Sequence, residues 1–328
     1  MARLSDPLRI KELVLKNRIV MPPMATGLSS KKGEVTDRLV EHYSRRAKGP
    51  GLVIVEHSYV TQNGKLSENQ LGIYDDSLIP GLSRLAKNVH ENGTAIAAQI
   101  NHAGRLANSK ITGTQPVAPS PIPASSTAET PRELHREEID EIAGQFASAA
   151  VRVIKAGFDI VEIHGAHGFL LNQFTSPLAN KRTDEFGGSL EGRMKLPLKI
   201  VNSIRGRIGS AVPLFYRLGA DDNMPGGLTL EEGKTIAQRL VKVGVDVIDV
   251  SGGLGGSRPA SMKGEGYLVH LAEGVKKAVS VPMIVVGGIV TADFADQVIR
   301  SGRVDLAAVG RAMLNDPDWA SKAISHLK

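Results

Sequence analysis

Phe158-Asp159-Ile160-Val161-Glu162-Ile163-His164-Gly165-Ala166-His167-Gly168 is the stretch on which the reading of this chain turns. From Phe158 to Ile163 the run is rich in β-branched and apolar residues, as a buried strand requires, and it breaks at glycines where two imidazoles emerge together. In parallel α/β proteins ligands gather at the carboxyl ends of the strands. Two histidines three residues apart in such a place can both donate to one oxygen. Taken alone, a His-x-x-His pair also fits a loop hydrogen-bond network or part of a metal site. No third carboxylate or thiolate stands at convincing spacing, so no metal is expected.

Working outward, strand-like runs alternate with amphipathic helical segments from end to end, the pattern of βα units around a parallel sheet. The expected strands are Ile19–Met24, Leu52–His57, Ala95–Ile100, Ile160–His164, Leu214–Leu218, Val245–Val250, Met283–Gly287 and Leu306–Gly310. The helical candidates are Arg38–Ala47, Ser77–Asn92, Arg136–Lys155, Leu190–Arg207, Leu230–Val243, Tyr267–Val279, Ala292–Ser301 and Ala312–His326. Eight such pairs make a closed (β/α)₈ barrel, the TIM-barrel form of the α/β class. A doubly wound open sheet is the alternative, but Met24-Ala25-Thr26-Gly27 follows the first strand where a dinucleotide-binding sheet would carry its glycine fingerprint. Before that strand, Leu4–Arg18 reads as a small hairpin lying as a lid over the barrel bottom. After the third strand, Arg105–Pro131 is long, proline-rich and irregular, which suits a capping loop beside a catalytic mouth or a mobile decoration.

With 328 residues, 41% of them hydrophobic, the chain is expected to form one domain over residues 1–328. No apolar run approaches the length of a membrane span, and the N-terminal stretch lacks a signal-peptide core, so a cytoplasmic protein is expected. The absence of cysteine excludes disulfides, thiol nucleophiles and cysteine-bound clusters within this chain. Any redox chemistry then needs an organic cofactor. A net charge of +6 suits anionic ligands, but the basic residues are interleaved with acids and aromatics are only 4%, which argues against nucleic acid. Expected partners are a small-molecule substrate and no membrane; a homo-oligomer is compatible with the composition.

Two glycine signals end the last two strands, Val285-Val286-Gly287-Gly288-Ile289 and Val309-Gly310-Arg311-Ala312. In barrels this pair of loops often holds a phosphate, because glycine lets backbone N–H groups approach an anion, and Arg311 would add a charge-assisted contact. Arg217 is a cation inside the otherwise apolar Leu214–Leu218 run. Burial obliges it to meet an anionic ligand or an internal carboxylate such as Glu162. Gln99, at the mouth of the third strand, can donate and accept at once, as a pyrimidine edge requires, or merely cap a turn.

The segment from Ile163 to Arg193, through Asn172-Gln173-Phe174 and Arg182-Thr183-Asp184-Glu185-Phe186-Gly187-Gly188, closely resembles the Old Yellow Enzyme family of FMN-dependent reductases. The resemblance extends from Lys16-Asn17-Arg18-Ile19-Val20 to Gly310-Arg311-Ala312. It implies an FMN site around Pro23, Met24, Ala25, Gln99, Arg217, Gly287, Gly288, Gly310 and Arg311, with Arg217 facing the N1–C2=O edge of the reduced ring. It implies that His164 and His167 bind the substrate carbonyl oxygen. Departures are equally specific. The family often has cysteine or threonine at the position of Ala25, so any hydrogen bond there is lost or passes to Thr26. The tyrosine that serves as acid two residues after the second imidazole is Phe169 here, and a second tyrosine near the first strand is missing around Gly27. Tyr59, Tyr267 or water are then the candidate proton sources.

The resemblance implies a hydride taken from NAD(P)H by FMN and passed to an electron-poor alkene conjugated to a carbonyl, with the flavin supplying the chemistry and the protein the placement. Related flavin barrels that reduce dienoyl-CoA or demethylate amines or betaines are the near alternatives, favoured by Phe169. The dienoyl-CoA enzymes usually continue into cysteine-bearing domains, and this chain stops at Lys328. A flavin-free phosphate-binding barrel, such as an aldolase, is the remote one.

Overall fold

The computed structural model describes residues 1–259 and 262–328. It opens with a hairpin of β1 (Leu8–Ile10) and β2 (Leu13–Leu15), antiparallel and turned at Lys11, whose φ is 54°. Eight parallel strands follow and close into a barrel: β3 (Ile19–Met21), β4 (Leu52–Tyr59), β5 (Ala95–Asn101), then, after the short pair β6 (Val117–Ala118) and β7 (Arg132–Glu133), β8 (Ile160–Gly165), β9 (Leu214–Gly219), β10 (Val247–Ser251), β11 (Met283–Val285) and β12 (Leu306–Ala308). The last strand pairs back onto the first through Ala307↔Ile19 and Ala308↔Val20. Helices Asp37–Arg46, Ile79–His90, Arg136–Lys155, Leu190–Ile208, Leu230–Lys242, Val269–Lys276 and Ala292–Arg300 lie between successive strands, matching the expected segments to within a few residues.

Period-two alternation along each strand sorts the core into two layers. Val53, Val55, Val161, Ile163 and Leu218 point outward and pack with the helices. Leu52, Ile54, Ala97, Ile160, Phe215, Val247 and Ile284 point inward and form an apolar plug that includes Ile10 and Leu15 of the hairpin. The hairpin therefore seals the barrel bottom, as its sequence suggested. One step further along the same strands the inward residues turn polar: Gln99, Glu162, Arg217 and Asp249, then His164 and Ser251, all buried. An apolar lower half and a polar upper half place the chemistry at the carboxyl ends.

Three expectations need correction. The first strand stops at Met21 rather than Met24, because Pro22 and Pro23 carry no N–H for the ladder. The single C-terminal helix expected over Ala312–His326 is two, Arg311–Asn315 and Trp319–His326, divided where Pro317 denies the helix a donor. Arg105–Pro131 is neither structureless nor loose: it contains a short helix, Ser109–Thr112, and the strand β6, which pairs with β7. Arg182, paired with Asp184, fastens it by donating to the carbonyls of Pro119 at 3.2 Å and Leu134 at 2.7 Å.

Candidate active site

His164 is 2% exposed at the end of β8, and its Nδ1 accepts the N–H of Ala166 at 3.3 Å. The neutral ring must then carry its proton on Nε2. Burial, reinforced by His167, Arg217 and His57, holds its pKa well below the ordinary histidine value, so the ring stays neutral. His167 adopts a left-handed backbone with φ 57°, a strained conformation for a non-glycine residue, between Ala166 and Gly168. Its Nε2 shares a 2.6 Å hydrogen bond with Ser251 Oγ of β10, which leaves Nδ1 as the ring nitrogen free of a protein partner among the described residues. Burial and then Arg217 and His57 depress its pKa as well. The two rings meet edge to face with centroids 5.0 Å apart.

Both imidazoles line a cavity of about 540 Å³ at the carboxyl ends of the strands. Pro23, Met24 and Ala25 form one wall, Phe169 and Arg217 another, and Tyr267, Gly288, Gly310 and Arg311 the rim. The rim glycines are there for room. A Cβ at Gly288, whose φ is 68°, would lie 2.9 Å from the Tyr267 ring, and one at Gly310 would lie 3.1 Å from Met24 Sδ. The helix that begins at Arg311 has only five residues, so its dipole is small and its free first-turn N–H groups matter more than its axis. Arg217 faces the cavity from below, with its Nε 3.4 Å from Asp249 Oδ2 and without a directional hydrogen bond. Its ion-pair partner is Asp249 on the neighbouring strand rather than Glu162, whose Oε1 accepts the Gln99 amide at 2.8 Å. A rim that combines glycines with the cation Arg311, and a buried cation with spare donor capacity below it, fit what a flavin mononucleotide needs.

Four of the residues singled out from sequence stand elsewhere. Gln99 is buried one layer below the cavity against Glu162. Gly287 lies behind Gly288, its carbonyl accepting the Tyr267 N–H at 3.1 Å. Thr26 turns away: its N–H donates to Glu56 at 2.6 Å and its hydroxyl accepts the N–H of Leu28 at 3.1 Å. Tyr59 stacks on Tyr74 outside the cavity and donates to the Lys32 carbonyl at 3.2 Å, which removes it as a proton source. Tyr267 does line the rim, but its hydroxyl donates to the Ser257 carbonyl at 3.0 Å and braces that loop.

Sequence reasoning missed His57, Ser251, Asp249 and Arg258. His57 would point outward by simple alternation from Leu52 and Ile54. A register shift between Val55 and Ser58 reverses that parity and turns the ring into the cavity. Ser251 and Asp249 share the inward face of β10 with Val247, a period the sequence does show. Among the described residues no cluster of three or more ligating side chains could hold a metal, and no helix is long and apolar enough to cross a membrane.

Comparison with known proteins agrees with this architecture. The chain is 47% identical to an NADH oxidase of Thermoanaerobacter brockii over 96% of its own length and 50% of that protein's, so it spans about half the length of this curated relative. Its structure is similar to that of 2-naphthoyl-CoA reductase in complex with 2-naphthoyl-CoA, at a TM-score of 0.94 and 30% identity, covering 99% of this chain and 52% of the other. It also resembles an Old Yellow Enzyme homologue from Zymomonas mobilis, at a TM-score of 0.87 and 27% identity, covering 100% of this chain and 94% of the other. These matches bear out the resemblance read from the segment Ile163 to Arg193. With the family's sequence model matched over residues 3–328, the chain belongs to the NADH:flavin oxidoreductase / NADH oxidase family.

Proposed function

We propose that this chain binds FMN and uses it to reduce an electron-poor alkene conjugated to a carbonyl at the expense of NAD(P)H. The observation that carries the reading is the pair of neutral imidazoles of His164 and His167 lining one cavity with the buried cation Arg217 and with Gly288, Gly310 and Arg311. When bound, FMN supplies the hydride chemistry. The backbone at Gly288 and Gly310, with Arg311, would hold its phosphate, and Met24 and Ala25 would pack along the ring. Arg217 would face the ring edge where negative charge develops. His164 and His167 would hold the substrate carbonyl oxygen and stabilise the enolate as it forms; loss of one such donor commonly costs about 3 kcal/mol, or roughly a hundredfold in rate.

A second reading, reduction of a CoA thioester, is favoured by the likeness to 2-naphthoyl-CoA reductase and by Arg258 and Arg311, both exposed on the cavity rim. Membership of a flavin oxidoreductase family leaves the flavin-free phosphate-binding barrel without support.

The test is anaerobic turnover of the purified flavoprotein with NADH or NADPH against 2-cyclohexenone, N-ethylmaleimide and dienoyl- or aryl-CoA thioesters. Reduction of the enones, lost about a hundredfold in His164→Ala with flavin reduction by NAD(P)H unchanged, supports the first reading. Turnover of thioesters alone favours the second. Activity untouched by His164→Ala and His167→Ala would remove the histidines from the mechanism.

A further inference from the structure

His57 has no part in the reading above, yet it faces the same cavity. Its ring centroid lies 5.2 Å from that of Phe169 and 6.2 Å from that of His164. Hydrogen bonds from behind fix its tautomer. The Leu66 N–H donates to Gln70 Oε1 at 2.6 Å, which makes the Gln70 amide nitrogen the atom that meets His57. That nitrogen donates to His57 Nδ1 at 2.8 Å and to the His57 carbonyl at 3.1 Å. A neutral ring whose Nδ1 accepts carries its one proton on Nε2. Among the described residues that N–H has no partner, and the cavity is where the ring is exposed.

The same bond rules out a relay. A proton given up at Nε2 would have to be replaced through Nδ1, where an amide N–H already points in. Burial, and secondarily Arg217, lower the pKa of His57 to about 4, so the ring is a neutral, permanent donor. It cannot stand in for the acid missing at Phe169.

We propose that His57 forms a second acceptor subsite beside Phe169, so that the cavity selects planar ligands carrying two hydrogen-bond acceptors, cyclic 1,4-dicarbonyl alkenes of the maleimide and quinone type, over ligands carrying one. The proposal rests on the reading of His164 and His167 as the site of the first carbonyl. A ligand with a single carbonyl that fills the cavity strips water from the His57 N–H and gives nothing back, and an unpaired buried donor costs more than the bond it lacks is worth. The resulting preference is about tenfold.

The experiment compares two ligands of the same ring size that lack the reducible alkene, N-ethylsuccinimide with two carbonyls and N-ethyl-2-pyrrolidinone with one. Their Kd values are read from the perturbation of flavin absorbance in the protein as purified with its flavin. The wild type should favour the imide about tenfold. His57→Phe, which keeps an aromatic ring against Phe169, should abolish the preference by weakening the imide alone, and His57→Gln, which restores an N–H, should recover part of it. Equal affinity of the wild type for both ligands, or equal weakening of both in His57→Phe, would overturn the proposal. A wild type that prefers the imide but cannot reduce N-ethylmaleimide keeps the subsite and sinks the alkene reading, so the two fail separately.

Discussion

Arg217 Nε stands 3.4 Å from Asp249 Oδ2 inside the barrel, and neither oxygen of that carboxylate has a hydrogen-bond donor. Glu162 lies in the same layer with Oε2 equally unpartnered. Two buried carboxyls thus share one cation. Burial and the neighbouring Asp249 push the Glu162 pKa up, while burial raises that of Asp249 against the pull of Arg217. Burial thus holds both carboxyls toward their protonated forms, and the ion pair within reach is that of Arg217 with Asp249.

Removing the cation alone should therefore be costly. Arg217→Met leaves a buried carboxylate uncompensated and is expected to destabilise the fold by about 3–5 kcal/mol, measured by urea unfolding of the apoprotein. Combining it with Asp249→Asn should recover most of that loss. A double variant no more stable than Arg217→Met would show that the two groups are not coupled.

Glu56 predicts an unusual pH dependence. It is 2% exposed, accepts the Thr26 N–H at 2.6 Å, and burial raises its pKa from 4.5 to about 7. A carboxyl with a raised folded pKa binds its proton more tightly in the folded state. Its stabilising contribution is thus complete below about pH 4.5 and is lost as pH rises through about 7. Glu56→Gln keeps the acceptor for Thr26 and cannot ionise. Its melting temperature should approach that of the wild type near pH 5 and exceed it at pH 8, by about 1–3 kcal/mol in stability. A constant difference across that range would assign the effect to packing.

The rim should decide cofactor retention. Arg311→Ala with Gly288→Glu removes a cation and sets a carboxylate, together with a clash against Tyr267, where the phosphate is expected. Flavin released from the wild type by heat should run as FMN, and the double variant should purify colourless. A double variant that retains full flavin, or a wild type that releases FAD, would refute the phosphate assignment.

Phe169 lies 4.6 Å, centroid to centroid, from His164, where a phenol would meet the substrate pocket. If protonation of carbon limits turnover, Phe169→Tyr should speed alkene reduction with little change in flavin reduction by NAD(P)H. Positioned acids are worth roughly 10² to 10⁴ in rate, so even a misaligned one is detectable by stopped flow. Equal oxidative rates in both proteins, with no solvent isotope effect in either, would mean that the phenyl ring serves as wall only.

Much of the barrel was legible because its signals are local. Strand runs such as Leu52–His57 and Leu214–Leu218 are short, apolar and bounded by glycine, proline or helix, and the observed strands overlap each of them. His164, Arg217 and Arg311 were legible as chemistry because each breaks such a run or follows it. His57 was not, since a bulge reverses the side-chain parity that the alternation assumes. Tyr59 and Thr26 misled for a related reason: both belong to segments that reach the site, but their hydrogen bonds to the Lys32 carbonyl and Glu56 turn them off it, and such partners are distant in sequence. The fixed tautomers of His57 and His164 rest on Gln70 and the Ala166 amide, and the His167 ring is held by Ser251; no spacing rule announces these partners.

The pairing of β12 with β3 sets a condition on synthesis. Until the ribosome has made Ala307 and Ala308, the edge of β3 has no neighbour on one side, and Ile10 and Leu15 have only a partial ring to plug. The N-terminal hairpin is also held by Lys11, 2.9 Å from Asp246, a residue translated more than two hundred positions later. A chain emerging from its N-terminus therefore exposes strand edges and inward apolar side chains until Ala307 and Ala308 have been made. Permuted chains that begin at a helix and carry the hairpin covalently ahead of β3 would keep the plug intact while changing which edge waits, and their yields at 37 °C would report how much of this protein's folding burden lies in ring closure.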